Sequence, residues 1–170
     1  METTRETLDA RRVVIRTIYR PDANAILQIE RDSFEFPWTA SDFIRCLGRD
    51  YTIGVVADCG GDVAGFVIFE LLSQQIRLLN IAVDQRFRRR GIGRLLVDRV
   101  IGMLSGLHQR RLVLEVRESN LTGQIFFRSC GFKAVAVLHD FYDDTPEDAY
   151  RMVYRIGRVG CGGSGECCGK

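Results

Sequence analysis

Two segments hold residue types whose order could do chemistry. The first is Arg88-Arg89-Arg90-Gly91-Ile92-Gly93-Arg94, between an apolar run (Arg77 to Val83) and an amphipathic stretch. A helix beginning there would present unpaired backbone N–H groups and a partial positive charge. Its glycines let the backbone approach a ligand closely and take positive φ. Arg89 and Arg94 could add charge-assisted hydrogen bonds. The chemistry implied is a phosphate cradle; the alternative is a tight turn beside a solvated basic patch. It is not a dinucleotide fingerprint, because position 96 is Leu96, nor a Walker loop, because no Gly-Lys-Ser/Thr follows. The second segment is Leu114-Glu115-Val116-Arg117-Glu118-Ser119-Asn120. Alternation puts Glu115 on one strand face with Val113 and Arg117. A carboxylate on a largely apolar sheet is favoured in its neutral form and suits a general base; the alternative is a solvated strand glutamate paired with Arg117.

The elements that must position these segments follow from periodicity. Val13 to Tyr19 is β-branched and aromatic and ends at Pro21, as a strand does. Asp22 to Arg31 places Ala25, Ile26 and Ile29 at helical spacing. Phe36-Pro37-Trp38 breaks that helix, and Thr39 with Asp42 forms a capping-box start for another. Tyr51 to Ala57 and Val63 to Leu72 form a hairpin about Cys59-Gly60-Gly61-Asp62. Arg77 to Val83, almost continuously apolar, predicts a strand buried on both faces. Ile92, Leu95, Leu96, Val100, Met103, Leu104 and Leu107 predict the buried stripe of a helix of about four turns. Leu112, Leu114 and Val116 mark a strand. Asn120 or Ser119 caps a helix that runs through Cys130 and ends at Gly131. Phe132 to Leu138 and Ala149 to Ile156 are the last strands. The order is β-α-α-β-β-β-α-β-α-β-β, an α/β chain with a mixed sheet and helices on both faces.

The 170 residues, 46% hydrophobic and 27% charged, suffice for one domain with its own core. We read residues 13–156 as that domain, 1–12 as a flexible N-terminus and 157–170 as a Gly/Cys-rich disordered tail. A net charge of +2 gives no global case for nucleic acid or a membrane surface. No apolar run is long enough to span a bilayer, and Met1 to Arg12 lacks a signal peptide's apolar core, so a cytoplasmic protein is expected. Cys46, Cys59 and Cys130 read as buried thiols. Cys161, Cys167 and Cys168 form no Cys-x-x-Cys pair, and no metal site is expected.

In combination, these segments resemble the GNAT superfamily of acetyltransferases. Arg88 to Gly93 fits its pyrophosphate-binding signature, Gln/Arg-x-x-Gly-x-Gly/Ala. Phe34-Glu35-Phe36-Pro37-Trp38, Asn80-Ile81-Ala82-Val83-Asp84, Leu114 to Asn120 and Gly131-Phe132 resemble one branch of it, the RimI family of ribosomal-protein alanine N-acetyltransferases. The matches run in order and at family spacing from Val13 to Ile156.

The resemblance implies the GNAT fold: a mixed central sheet of six to seven strands with about four helices on both faces. It implies acetyl-CoA as co-substrate. Backbone at Ile81, Ala82 and Val83 would hold the pantetheine arm and the acetyl carbonyl. Arg89, Arg90, Gly91, Ile92, Gly93 and Arg94 would wrap the pyrophosphate, and Asn120 would bond the cofactor near its sulfur. Glu115 falls at the general base. Phe36, Trp38 and the loop around Tyr142 would shape a peptide slot. One position departs from the family: where it has a tyrosine thought to protonate the departing thiolate, this chain has Phe127, which has no proton to give. Tyr142 is the candidate substitute acid. The implied reaction acetylates the N-terminal amine of a protein, as RimI does with the N-terminal alanine of small-subunit ribosomal protein eighteen. The rival readings are a GNAT enzyme acting on a small amine or a lysine side chain, and a catalytically impaired acyl-CoA-binding module.

Overall fold

A computed structural model describes residues 13–107 and 109–156. The expectations for 1–12 and for 157–170, with Cys161, Cys167 and Cys168, lie outside the described residues. The elements are β1 (Val13–Thr17), α1 (Ala23–Ser33), α2 (Ala40–Leu47), β2 (Thr52–Cys59), β3 (Asp62–Leu71), β4 (Ile76–Val83), α3 (Ile92–Gly106), β5 (Arg111–Arg117), α4 (Leu121–Ser129), β6 (Lys133–Leu138) and β7 (Ala149–Arg155). Their order is the one the sequence predicts.

The seven strands form one sheet in the order β1-β2-β3-β4-β5-β7-β6. All neighbours are antiparallel except β4 and β5, which α3 joins by a crossover. Ile26, Ile29 and Phe43 of α1 and α2 pack on one face with Val56, Phe66 and Ile68. Leu96, Val100 and Leu104 of α3 and Phe127 of α4 pack on the other with Val67, Phe69, Leu112 and Leu114. Burying both faces is why the central strands read as apolar runs.

Helix ends follow local chemistry. Thr39 Oγ1 accepts the Asp42 N–H at 3.2 Å, and Asp42 returns a carboxylate oxygen to the Thr39 N–H at 2.9 Å. Asn120 Oδ1 accepts the Gly123 N–H at 2.8 Å and so caps α4. Gly131, at φ 91°, ends it. The stripe on α3 needs a correction. Its buried residues are Ile92, Leu96, Val97, Val100 and Leu104, while Leu95 and Leu107 are exposed. The 3.6-residue repeat carries Val97, not Leu95, beneath the helix.

Strand β4 departs from the sequence expectation. Its burial alternates along its length instead of being complete on both faces. Ile76 and Leu78 pack on the α3 side, and so do Ile81 and Val83, although strict alternation from Leu78 would put those two on the α1 side. The cause is a bulge: in β3, Ile68 pairs Asn80 and Phe69 pairs Leu78, leaving Leu79 extra. One added residue reverses every side chain beyond it. Asn80 and Ala82 thereby turn towards α1.

The second irregularity is a fork. β4 and β5 pair only at Ile76–Leu112 and Arg77–Val113. Beyond these, Leu78 to Val83 have no β5 partner, whereas β5 stays paired with β7 along its length. The backbone edge of β4 that faces the gap needs other partners.

Candidate active site

The fork opens into a cleft of roughly 1970 Å³, bounded by β4, β5, the starts of α3 and α4, residues 33–38 and residues 141–144. Typical small-molecule pockets hold ~300–1,000 Å³, so there is room for an extended cofactor and a second substrate. Every sequence-predicted site residue lines it except Arg90.

The turn before α3 has the form of an anion cradle. Arg89 (φ 61°) and Gly91 (φ 85°) are both left-handed, which curls successive N–H groups into a concave nest. The first bond of the α3 ladder runs from the Leu95 N–H to the Gly91 carbonyl at 3.0 Å. The N–H groups of Ile92, Gly93 and Arg94 therefore have no intrahelical acceptor. Arg88 ties this turn down, donating to the Val83 carbonyl at 3.0 Å and to Ser33 Oγ at 2.9 Å.

Other members of the segment have contacts of their own. Arg90 lays its guanidinium over the Phe87 ring, 5.9 Å from the centroid, and does not line the cleft. Arg94 is engaged by Asp98 and donates to the Ser129 carbonyl at 3.0 Å. Gly93 is needed for packing: a Cβ there would meet the Phe126 ring at 3.1 Å. Asn120 spends its oxygen on the α4 cap, and its Nδ2 has no partner among the described residues.

Glu115 lies on the face shared with Val113 and Arg117, as alternation requires, but its surroundings are ionic rather than largely apolar. Oε2 accepts from Arg77 Nε at 3.1 Å and Oε1 from Arg151 Nε at 2.9 Å. Arg117 is not its partner. The bridge joins β4, β5 and β7 where the fork begins, and the Glu115 side chain is only 7% exposed. Sequence reasoning missed Arg77 and Arg151, since they are 38 and 36 positions away and no local pattern links them.

Arg117 does a second job the sequence did not reveal. Its guanidinium ion-pairs with Asp144 at 2.6 Å and Glu147 at 3.1 Å. It also lies 3.7 Å from the Tyr142 centroid and 5.0 Å from the Phe36 centroid. One cation thus joins the two loops expected to shape the peptide slot. Burial pushes the Tyr142 phenol up to about 12; Arg117 pulls the other way and the Glu115 carboxylate adds to the rise. Tyr142 keeps its proton at neutral pH and lies within electrostatic reach of Glu115.

Phe127 borders the cleft but packs into the core, edge-on to Phe132 with ring centroids 5.5 Å apart. Trp38 sits edge-on to Phe43 at 5.4 Å. Behind it, Glu30 is 1% exposed and accepts the Trp38 N–H at 2.9 Å and both bonds from Asn80 Nδ2, at 3.1 and 3.0 Å. Burial pushes the Glu30 carboxyl up, against the pull of these bonds. Its sequence signal was a carboxylate four residues after Ile26, on an apolar stripe. Cys130 is buried, and burial pushes its thiol up, so an acyl-carrying thiolate is disfavoured there.

Residues 23–132 match the acetyltransferase (GNAT) family. The chain belongs to the GNAT family. It is an N-acetyltransferase, and acetyl-CoA is its co-substrate. Ribosomal protein bS18-alanine N-acetyltransferases are among the relatives of this GNAT chain. That of Salmonella typhimurium is 34% identical over 138 residues, 79% of this chain and 92% of the relative. The crystal structure of the Escherichia coli ribosomal-protein-alanine enzyme superposes with a TM-score of 0.76 at 29% identity, covering 88% of this chain and 97% of that one. Arabidopsis thaliana NAA60 in complex with acetyl-CoA shares the fold, with a TM-score of 0.74 at 23% identity over 85% of this chain and 99% of that one. The GNAT cofactor fits what the residues present: an uncapped helix start for phosphates and an unpaired β4 edge for a pantetheine amide chain. Among the described residues, no helix is long and apolar enough to cross a membrane.

Proposed function

We propose that this chain acetylates the N-terminal α-amine of a protein, with the N-terminal alanine of a small-subunit ribosomal protein as substrate. The observation that carries the proposal is the Arg117 clamp: Phe36 and Tyr142 lie against one guanidinium and line the same cleft as Glu115. The substrate is the one named for the relatives at 34% and 31% identity. A ribosomal target also puts the enzyme in the cytoplasm.

When bound, acetyl-CoA supplies an activated acetyl group as a thioester. The residues of this chain do the rest. An α-amine with a pKa near ~7.7–8.0 is partly protonated at neutral pH, and Glu115 takes its proton, directly or through a water. Arg77 and Arg151 hold the carboxylate at the mouth of the fork. A free β4 N–H in the Ile81–Val83 segment steadies the acetyl oxygen. Phe127 cannot return a proton to the leaving sulfur, so Tyr142, whose phenol stays protonated, is the acid. The test is incubation with acetyl-CoA and a panel of N-terminal peptides, followed by mass spectrometry. Acetylation confined to α-amines, highest for N-terminal alanine, is expected. Acetylation of lysine side chains or small amines alone would replace the proposal with the rival reading.

A further inference from the structure

A buried carboxylate needs a reason. Glu30 lies on the inner face of α1, where a leucine would pack without desolvating a charge. It is neither at the fork with Glu115 nor paired with a cation among the described residues. Its three hydrogen bonds go to two places. One holds the Trp38 N–H, in the loop that forms the peptide slot; two hold the Asn80 side chain, on the strand that receives the acetyl donor. Asn80 is aimed at Glu30 by the bulge at Leu79, without which it would face α3.

We infer that Glu30 is a positioning residue that couples the two substrate sites: through Asn80 it senses the β4 segment that binds acetyl-CoA, and through the Trp38 N–H it sets the peptide loop. This rests on the peptide reading proposed above. The coupling is direct, with one carboxylate between the two elements; the Arg88 link from Val83 to Ser33 ties the far end of β4 to α1 but does not reach Trp38. Hydrogen bonds to a charged acceptor in a low-dielectric interior are short and directional, so a shift of β4 at Asn80 is passed to Trp38.

Trp38 is the sole tryptophan of the chain, so its emission reports on the loop independently of turnover. The experiment titrates acetyl-CoA into wild type, Glu30→Gln, Glu30→Leu and Asn80→Ala while reading that emission, then measures steady-state kinetics on the best N-terminal peptide. Wild type should change its emission on binding acetyl-CoA. Glu30→Gln should keep the change, because its amide accepts from Trp38 and donates to the Asn80 oxygen. Asn80→Ala should keep the resting emission but lose the response. Glu30→Leu should lose both, with a peptide KM raised about tenfold, kcat less affected and acetyl-CoA affinity within about twofold of wild type. If Glu30→Leu does not fold, Asn80→Ala and Glu30→Gln make the same comparison. A purely structural Glu30 would instead lower thermal stability and leave the response and the KM as in wild type, which overturns the inference, as does a wild type whose emission ignores acetyl-CoA. A wild type that shows the response yet acetylates no peptide would sink the peptide reading and leave the coupling standing.

Discussion

The guanidinium of Arg117 stacks on the ring of Tyr142, 3.7 Å from its centroid, and holds Asp144 with a second edge. Arg117 is the last residue of β5, two positions after Glu115, so the 141–144 loop is anchored to the strand that bears Glu115. Arg117→Ala should free the 141–144 loop and part it from Phe36. We expect the peptide KM to rise at least about tenfold, the factor that ~1.4 kcal/mol represents, with acetyl-CoA affinity within twofold. Steady-state kinetics and calorimetry check both halves. An unchanged peptide KM would mean the slot is elsewhere.

Glu115→Gln keeps the shape but cannot take a proton, and it weakens the bridge between Arg77 and Arg151. General base catalysis is typically worth ~10²–10⁴-fold, and kcat should fall by about that much near neutral pH. The deficit should narrow as the pH rises and the amine sheds its own proton. A pH–rate profile of both forms decides it; wild-type turnover at pH 7 would remove Glu115 from the mechanism.

The two glycines of the cradle should fail differently. Gly91 has open space around its Cβ position but a left-handed φ of 85°. Gly91→Ala should therefore cost ~1–2 kcal/mol of local backbone strain, lowering Tm by a few degrees, and weaken acetyl-CoA binding more than Gly93→Val does. Gly93→Val should instead drive into Phe126, which a Cβ already meets at 3.1 Å, and lower Tm by several degrees. Calorimetry alongside thermal melts separates them. Equal effects on both readouts would contradict distinct roles.

Phe127→Tyr adds one hydroxyl at the border of the cleft. If the family's acid acts from there, kcat should rise several-fold while the acetyl-CoA KM barely moves, because the new bond forms mainly in the transition state. Tyr142→Phe in the parent should cut kcat by about tenfold to a hundredfold. Kinetics on one peptide compare all three forms. A silent Tyr142→Phe would take the acid role from Tyr142.

Asp22 makes two hydrogen bonds with Arg16, at 2.7 and 2.9 Å, and its side chain is largely buried. These bonds hold its carboxyl below the usual aspartate range; burial opposes them and the Tyr19 N–H assists. A depressed folded value means stability that is fully present above about pH 4 and is lost as the pH falls through the folded pKa. Asp22→Asn should lower Tm by about 5 °C at pH 7, and the gap to wild type should close on acidification. Thermal melts from pH 7 to pH 2 measure it; a constant gap would place the effect in packing rather than charge.

Much of this architecture was legible without coordinates, because its causes are local. The Thr39–Asp42 box, the Asn120 cap and the Gly131 stop depend on residues within four positions of one another, and periodicity together with such turn and cap residues ordered the eleven helices and strands. Gly91 marked a helix start able to take phosphate, and alternation set Glu115 on its proper face. The partners of those residues were not legible. Arg77 and Arg151 reach Glu115 through strand register, Arg117 meets Phe36 and Tyr142 by loop closure, and Asn80 reaches Glu30 across 50 positions because one bulge reverses the end of β4. A chain's local pattern specifies which face a side chain takes within its own element. Which charge it then meets depends on how sheet register and bulges align elements far apart in sequence, and that alignment exists only once the chain has packed.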